Sequence, residues 1–335
     1  GPRPRFPDPC ARPSALRAPR SNSRSRIVDV EQCAIATEKI NEAMPRVRTK
    51  ALGAAVVKKQ ELAAASVGGG ERTGRRRRKP SGATLLLRHA REGVCTAGQS
   101  IVTETVGNLT LSFKAGDFFQ NNPYTLPLLV DHVIRNAKGD APSGDQPKDV
   151  RYMIDAYCGS GLFALSAADA FEEVVGVETS TTAVEFATRN AAANGIANAR
   201  FIAGSAECIF AQVRGPPWAL RGGAARPAPL PPAQVPFPGA QTVCVLDPPR
   251  KGCDRLFLSQ LLSYAPRRIV YVSCRAETLA RDLVVLAGAG YALRHVRPFD
   301  MFPQTRHIEA VATLEWPDEL SDPAPDTDGL IYPDG

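Results

Sequence analysis

The chain has 335 residues, and its 41 Lys and Arg against 34 Asp and Glu give a formal net charge of +7. A chain of this length can form roughly two or three compact units. Apolar residues make up 44% of it, enough to bury a core, which excludes wholesale disorder. The sequence contains no run of about 18 uncharged apolar residues, so we expect no membrane-spanning helix.

The basic charge lies before a short acidic tail. Residues 317–335 contain six acidic side chains and no basic one, so residues 1–316 carry a net charge of +13. Lysines and arginines bind polyanions by releasing condensed counterions, which favours a nucleic acid as the partner. A solvated basic surface is the alternative, and charge alone does not separate RNA from DNA.

The cysteines are dispersed and form no C-x-x-C pair. Their eight positions are Cys10, Cys33, Cys95, Cys158, Cys208, Cys244, Cys253 and Cys274. This spacing argues against structural zinc, a cysteine-bound iron–sulfur cluster and a secreted disulfide scaffold, so we predict no metal. Dispersed thiols are typical of a reducing compartment inside the cell, where a special cysteine would be catalytic.

The first 26 residues differ in composition from the rest. Residues 1–26 hold seven arginines, four serines and one acid, which predicts a disordered basic leader. Such a leader is typical of a transit peptide but equally of the start of a fragment. The compartment therefore stays open between cytoplasm, nucleus and, through the leader, mitochondrion.

Residues 27–115 predict a smaller N-terminal α+β subdomain. A short strand and a helix are expected within residues 27–66. The basic run at residues 75–79 is either a phosphate-contacting loop, a nuclear signal or a solvated charge cluster. Three strands follow, from the segments ATLLLR, IVTETV and LTLSFK, and Gly107-Asn108 between the last two is typical of a hairpin turn.

Residues 116–149 predict a bridging helix and loop, with the helix running from Pro123 to about Ala137. From residue 150 to residue 316, strands alternate with helices, which predicts an α/β domain with a largely parallel sheet. A Pro-, Ala- and Gly-rich stretch at residues 214–239 is expected to be a disordered insertion. Seven strands are expected, from the segments YMIDAY, EEVVGVE, ARFIAG, TVCVLDPP, RRIVYVSC, YALRHVRP and HIEAVATLEW.

A nucleotide-like ligand is expected at the first strands of this domain. The first strand ends in a glycine turn at Gly159 and Gly161, where the backbone can approach a ligand closely. The second strand ends in Glu178, placed to accept hydrogen bonds from ribose hydroxyls. Because the third glycine of a dinucleotide fingerprint is missing, an adenosine ligand without pyrophosphate, such as S-adenosylmethionine, fits better than NAD.

Reactive side chains follow the next strands. The fourth strand ends in Asp247-Pro248-Pro249-Arg250, where two prolines stiffen the loop and Arg250 offers donors to carbonyl or phosphate oxygens. The fifth strand ends at Cys274, which is either a nucleophile or a buried small side chain. Glu309 opens the last strand and is either a base or an edge-strand carboxylate.

These segments together resemble a known family. FFQNNPY from Phe118, DAYCGSGLF from Asp155, VVGVE, LDPPRKG from Leu246, YVSC and FDMFPQTRHIE from Phe299 occur in the order seen in the uracil-C5 RNA methyltransferases. The resemblance is strongest to the tRNA 5-methyluridine enzymes of eukaryotic type. It extends from about residue 27 to residue 316 and places residues 27–115 on the RNA side.

The resemblance implies a fold and an activity. The fold is a Rossmann-like, seven-stranded sheet of the class I S-adenosylmethionine-dependent methyltransferases. The activity is methylation of uridine 54 in the tRNA T-loop, giving 5-methyluridine by way of a covalent bond between Cys274 and uracil C6. Glu309 would accept the C5 proton. We expect the protein to be a monomer. The implied S-adenosylmethionine contacts are Gln120, Tyr157, Glu178 and Asp247, with Arg250 at the uracil.

Two alternatives stay open. The first is methylation of C5 of a uridine in another RNA. A cytosine-C5 enzyme is disfavoured, because such an enzyme has its cysteine in the loop that here holds Pro248 and Pro249. The second is a non-catalytic tRNA-binding or folding factor, favoured only by the basic charge and the basic run at residues 75–79. The related ribosomal-RNA enzymes with an iron–sulfur cluster use closely spaced cysteines. This sequence has no such cysteines, which favours tRNA as the substrate.

Overall fold

A computed structural model describes most of the chain between residues 86 and 316. The basic leader, the run at residues 75–79 and the acidic tail lie outside the described residues, as does most of the predicted insertion. The described residues are 32–33, 36–50, 53, 86–139, 150–210 and 235–316.

The described chain contains six α-helices and eleven strands, numbered here in chain order. The helices are α1 (38–50), α2 (Leu126–Lys138), α3 (Leu162–Ala167), α4 (Thr181–Ala193), α5 (Arg255–Tyr264) and α6 (Ala276–Gly288). The strands are β1 (Arg88–Ala90), β2 (Gly93–Cys95), β3 (Ile101–Val106), β4 (Leu109–Lys114), β5 (Tyr152–Asp155), β6 (Glu173–Glu178), β7 (Ala199–Ala203), β8 (Thr242–Leu246), β9 (Arg268–Ser273), β10 (Ala292–Phe299) and β11 (Glu309–Glu315).

The last seven strands form one sheet in the order β10-β11-β9-β8-β5-β6-β7. The strands from β9 to β7 in that order pair in parallel, while β11 runs antiparallel between β9 and β10. The prediction of a Rossmann-like seven-stranded α/β domain is therefore confirmed. The central strands β8 and β9 are buried along their whole length because helices cover both faces of the sheet, which explains their continuous apolar sequences.

Neighbouring residues on each strand belong to opposite faces of the sheet. Met153 packs in a core shared with α2, α3 and the β3–β4 hairpin, whereas Ile154 packs in a second core with α5 and α6. The chain passes from β5 outward to β7 and then returns to β8 on the other side of β5. This reversal opens a crevice at the carboxyl ends of β5 and β8, where open α/β sheets bind ligands.

The N-terminal strands differ in part from expectation. The IVTETV and LTLSFK segments form the predicted hairpin, with Val106 opposite Leu109 and a φ of 57° at Gly107. In the described part of the ATLLLR segment, residues 86 and 87 lie outside any strand, and only its last residue, Arg88, belongs to β1. Leu86 packs against the core without pairing in a strand.

Two predicted boundaries also move. The bridging helix begins at Leu126 instead of Pro123, because the Asn122 side chain accepts the backbone N–H groups of Tyr124 and Thr125 and holds these residues in a turn. The predicted insertion runs to Gly239, yet Phe237 is buried and stacks on Tyr152 with ring centroids 4.4 Å apart. The packed chain thus resumes before the insertion was expected to end.

Candidate functional site

The crevice brings the ends of four strands together. Strands β5, β8 and β9 end at this edge of the sheet, and the antiparallel β11 begins there. Ser273, the last residue of β9, pairs with Ala310 on β11. The next residues outward are Cys274 and Glu309, so the pairing places the predicted nucleophile and the predicted base side by side.

Cys274 is half-buried at this edge. Burial raises the pKa of its thiol, and the negative charges of Glu309 and Asp247 raise it further. The neighbouring Arg250 guanidinium opposes them and lowers the pKa of the thiol. Since the thiolate is the nucleophilic form of cysteine, Arg250 is the neighbour that favours reactivity.

Glu309 is almost completely buried, with 2% of its surface exposed. Its Oε2 atom has no hydrogen-bond partner among the described residues. Burial raises the pKa of this carboxyl to about 7, against the opposing charge of Arg250. A carboxyl group that changes its charge near neutral pH is suited to proton transfer.

The loop after β8 lies next to Cys274 and Glu309, since its charged residues affect the pKa values of both groups. Asp247 leads this loop, and burial raises its pKa well above the ordinary value, with further contributions from the charges of Glu309 and Asp155. The buried Pro248 follows, and the exposed Arg250 lies close enough to the Cys274 thiol to lower its pKa. The loop therefore presents one acidic and one basic side chain to the same crevice.

The glycine turn forms the other side of the crevice. Gly159 and Gly161 have φ angles of 52° and 95°, which favour glycine, and the space beside Gly159 is open to at least 4 Å. The Gly159 N–H donates to Glu178 Oε2 at 3.2 Å, and the Ser180 N–H donates to Oε1 at 2.8 Å. Glu178 is thus held against the turn, as expected for a ribose-binding carboxylate.

Two buried acceptors in this part of the molecule lack partners. Gln120 Oε1, on a predicted cofactor contact, and Asp155 Oδ1, at the end of β5, accept no hydrogen bond from any described residue. Unpaired buried acceptors are costly, so they indicate a ligand that carries donors. The hydroxyl and amino groups of an adenosyl amino acid meet that requirement, and the residues present therefore fit S-adenosylmethionine.

Tyr157 is held by the second core rather than standing free in the crevice. Its ring meets Phe257 edge-on, with ring centroids 5.8 Å apart, and Cys253, in the loop after β8, is one of the groups close to its hydroxyl. Burial raises the pKa of this hydroxyl. The structure thus links Tyr157 both to the glycine turn and to the loop after β8.

Asp155 and Asn122 are site residues that we did not predict from the sequence. Asp155 is fully buried, accepts the Ala164 N–H at 3.1 Å, and has its pKa raised by burial to about 7. Its position at the end of β5 could have identified it as a site residue from the sequence. Asn122 donates to the Met301 carbonyl at 3.2 Å and so connects the segment of Gln120 to the loop before Glu309. Nothing in its sequence position indicated that distant contact.

The described residues form neither a metal-binding cluster nor a membrane-spanning helix. No group of three or more His, Cys, Asp and Glu side chains in the described ranges is arranged to hold a metal ion. No helix in the same part of the chain has the length and apolarity needed to cross a membrane.

A family model described as tRNA (Uracil-5-)-methyltransferase matches residues 144–316, about half of the chain. The chain belongs to the tRNA (uracil-5-)-methyltransferase family. This confirms the resemblance drawn from its motifs. Asp155, Glu178, Asp247, Cys274 and Glu309 all lie inside the matched range.

The chain is similar to two fungal proteins named tRNA (uracil(54)-C(5))-methyltransferase. The Schizosaccharomyces pombe protein is 36% identical over 300 residues, covering 87% of this chain and 49% of its own length. The Saccharomyces cerevisiae protein is 40% identical over 225 residues, covering 66% of this chain and 32% of its own length. The chain therefore spans half or less of the length of these relatives.

A solved structure is similar over part of the chain. It is that of Pyrococcus abyssi tRNA (uracil-54, C5)-methyltransferase in complex with S-adenosyl-L-homocysteine, with 26% identity and a TM-score of 0.48. The match covers 66% of this chain and 46% of that one.

Proposed function

We propose that this chain methylates C5 of uridine 54 in the tRNA T-loop, with S-adenosylmethionine as the methyl donor. The observation that carries the proposal is the pairing of Ser273 with Ala310, which sets Cys274 beside the buried Glu309. The crevice that holds both residues also holds the glycine turn and Glu178. Membership of the family and the names of the fungal relatives support the same reaction.

Cys274 would begin the reaction. Uracil C5 is too weak a nucleophile to take a methyl group directly, but addition of the Cys274 thiolate to C6 places negative charge on C5 and O4. Arg250 lowers the pKa of the thiol and so favours the thiolate, and its guanidinium would donate to a uracil oxygen. The new bond is S–C6, and the C5–C6 double bond supplies the electron pair to C5.

Glu309 would complete the reaction. Once C5 carries the methyl group, its remaining proton must leave before the sulfur can be eliminated. The unpaired Oε2 of Glu309 is free to accept that proton. The electrons of the C5–H bond then restore the C5–C6 double bond as the S–C6 bond breaks, which returns Cys274 to its starting form.

The residues proposed to hold S-adenosylmethionine are Gln120, Tyr157, Glu178 and Asp247. When bound, this cofactor supplies an electrophilic methyl group on a sulfonium sulfur. Glu178 would accept hydrogen bonds from the ribose, and Gln120 Oε1 and Asp247 would accept bonds from its donors. Gln120 is buried, and burial favours a fixed orientation of its amide toward a ligand.

The substrate would be a folded tRNA with its uridine turned outward. A base stacked in the T-loop must leave the stack before the Cys274 thiol can reach C6. Exposed arginines close to the crevice, among them Arg250, Arg275 and Arg306, offer contacts to phosphates. The net charge of +13 on residues 1–316 supports the same partner.

The deciding experiment incubates the purified protein with labelled S-adenosylmethionine and an unmodified tRNA transcript, and then maps the methylated nucleotide by mass spectrometry. We expect 5-methyluridine at position 54. Cys274→Ala should abolish the product, whereas Cys95→Ala, at a partly exposed cysteine in β2, should leave it unchanged. Full methylation by Cys274→Ala would refute the mechanism, and a methyl group at another uridine would refute the target.

A further inference from the structure

Helix α6 begins two residues after Cys274 and contacts the loop after β8 along its first two turns. This loop, residues 247–253, is called the Pro-Pro loop below. Thr278 Oγ1 donates to the Arg250 carbonyl at 3.3 Å. One turn later, Arg281 Nη2 donates to the carbonyls of Lys251 and Cys253 at 3.1 and 3.2 Å.

Asp282 holds the end of the same loop. Its side chain is fully buried, and its Oδ2 atom accepts the Cys253 N–H at 2.8 Å and the Tyr271 hydroxyl at 2.6 Å. Its Oδ1 atom accepts a bond from Arg281 Nε at 2.8 Å. A buried carboxylate with three charge-assisted bonds has little freedom to move, so the loop is fixed to β9 and α6 together.

The loop passes so close to α6 that one position needs glycine. A Cβ atom on Gly252 would lie 2.6 Å from Arg281 Nη2 and 2.7 Å from Asp282 Oδ2, and the φ of 76° there also favours glycine. The Gly252 N–H closes the turn by donating to the Pro249 carbonyl at 2.8 Å. The backbone around Arg250 is thus bonded both within the loop and to α6.

We propose that Arg281 and Asp282 are positioning residues, which hold the Pro-Pro loop so that the Arg250 guanidinium stays close to the Cys274 thiol. This inference rests on the proposed function, since it assigns a purpose to the effect of Arg250 on the thiol. Neither residue touches the thiol itself in the described contacts. Their effect on Cys274 passes through Arg250.

The proposal is tested by the reactivity of the Cys274 thiol, and this measurement requires neither RNA nor methyl transfer. The charged groups that face it are Glu309 from β11 and Asp247 and Arg250 from the Pro-Pro loop. Losing the correctly placed cation leaves the two carboxylates unopposed, so the thiolate forms at higher pH. We therefore measure, by peptide mass spectrometry, the rate of iodoacetamide alkylation of Cys274 between pH 6 and pH 10.

Arg281→Met is the main variant because this side chain is only partly buried. We expect its alkylation rate at pH 7.5 to fall about threefold to tenfold, with the midpoint of the pH profile moved upward. Arg250→Met should give a fall at least as large. The matched control is Arg135→Met, which removes an exposed arginine from α2 that pairs with Asp131, and its profile should stay unchanged.

A double variant separates positioning from a direct effect. If Arg281 acts through Arg250, the variant carrying both Arg250→Met and Arg281→Met should match Arg250→Met alone. An additional shift in the double variant, or an unchanged profile in folded Arg281→Met, would overturn the proposal. Asp282→Asn is a second test of the positioning role, and circular dichroism measures the folded fraction of this variant.

The two proposals fail in different ways. If methylation survives Cys274→Ala while Arg281→Met still shifts the alkylation profile, the catalytic role proposed for Cys274 is wrong and the positioning role stands. If Cys274→Ala abolishes methylation and alkylation is the same in all the arginine variants, the function stands and the positioning role is wrong.

Discussion

Asn190 on α4 donates a hydrogen bond to the carbonyl of Ser160 in the glycine turn at 3.0 Å. The same side chain accepts the Ser112 N–H at 2.8 Å and donates to the Ser112 carbonyl at 3.1 Å. Asn190 is 2% exposed. One buried amide therefore connects the proposed cofactor turn directly to the β3–β4 hairpin of the N-terminal part.

Asn194, one helical turn later, makes the same paired contact to the backbone of Thr110, with both bonds at 2.9 Å. Together the two amides occupy the outer edge of β4 as a neighbouring strand would, which satisfies backbone groups that an edge strand leaves open. The hairpin is thus fixed to α4 by four bonds of this type.

Asn190 and Asn194 are predicted to differ in their effect on cofactor binding. Asn190→Ala leaves the Ser160 carbonyl and the Ser112 backbone unpaired, and we expect a loss of about 1–3 kcal/mol in the free energy of unfolding. It should also weaken S-adenosylmethionine binding in isothermal titration calorimetry. Asn194→Ala should lower stability similarly but leave the Kd unchanged, because it does not contact the turn. Equal Kd values for the two variants would contradict this assignment.

Glu309→Gln is predicted to trap a covalent protein–RNA adduct. An amide cannot accept the C5 proton, so elimination of the sulfur stops while addition by Cys274 continues. The adduct should be visible as a slower band in denaturing electrophoresis with labelled tRNA. Its dependence on the thiol is checked by the variant carrying both Glu309→Gln and Cys274→Ala, which should give no band. A lack of adduct with Glu309→Gln would argue against the two roles.

The methylation rate is predicted to rise with pH through neutrality. Glu309 accepts a proton only when ionised, and its pKa of about 7 means that the ionised fraction grows as the pH rises through that value. The raised pKa of the Cys274 thiol acts in the same direction. Single-turnover rates from pH 5.5 to 9 should therefore increase. A rate that is constant or falls between pH 6 and 8 would be inconsistent with both groups acting in their basic forms.

Glu178 is predicted to contribute to cofactor affinity. Glu178→Ala removes the carboxylate that lies against Gly159, and we expect the Kd for S-adenosylmethionine to increase at least about tenfold, the equivalent of about 1.4 kcal/mol. The control is Glu185→Ala on the exposed face of α4, where the carboxylate pairs with Arg189. Calorimetric titration of both variants provides the comparison, and a normal Kd for Glu178→Ala would remove this residue from the proposed site.

A buried ion pair is predicted to stabilise the far end of the sheet. Arg268 on β9 is 1% exposed, bonds Glu315 through Nε at 2.8 Å, and donates to the Asn136 carbonyl near the end of α2 at 3.0 Å. Arg268→Met leaves part of a buried charge unpaired, so we expect a loss of about 3–5 kcal/mol in the free energy of unfolding.

The surface pair of Arg151 and Glu172 provides the comparison for that variant. Both side chains are about half exposed, so Arg151→Met should cost at most about 1 kcal/mol. Urea denaturation followed by circular dichroism measures both changes. Similar losses for the two variants would show that burial does not set the strength of the Arg268 contact.

Local sequence patterns predicted the seven strands of the large sheet. Each is a short apolar run bounded by turn residues, and Asp247 and Cys274 were recognisable because each immediately follows such a run. The carboxyl ends of parallel strands meet at one edge of a sheet, so the positions of these residues along the chain were enough to predict that they share one crevice. Of the described residues of the ATLLLR segment only Arg88 lies in a strand, because an apolar run also fits chain that packs on the core without pairing.

The contacts that hold the crevice together depended on the tertiary structure. Asn190 and Arg281 are polar residues on helices, where sequence alone suggests a solvated side chain, and their partners lie 30 residues away in the chain. No period of 2 or 3.6 residues encodes such a pairing. The sequence determined which strands form and which reactive side chains end them, because those properties are local. Which polar groups hold the glycine turn and the Pro-Pro loop in place was decided by folding, since hydrogen bonds between distant segments exist only once the chain has brought them within about 3 Å.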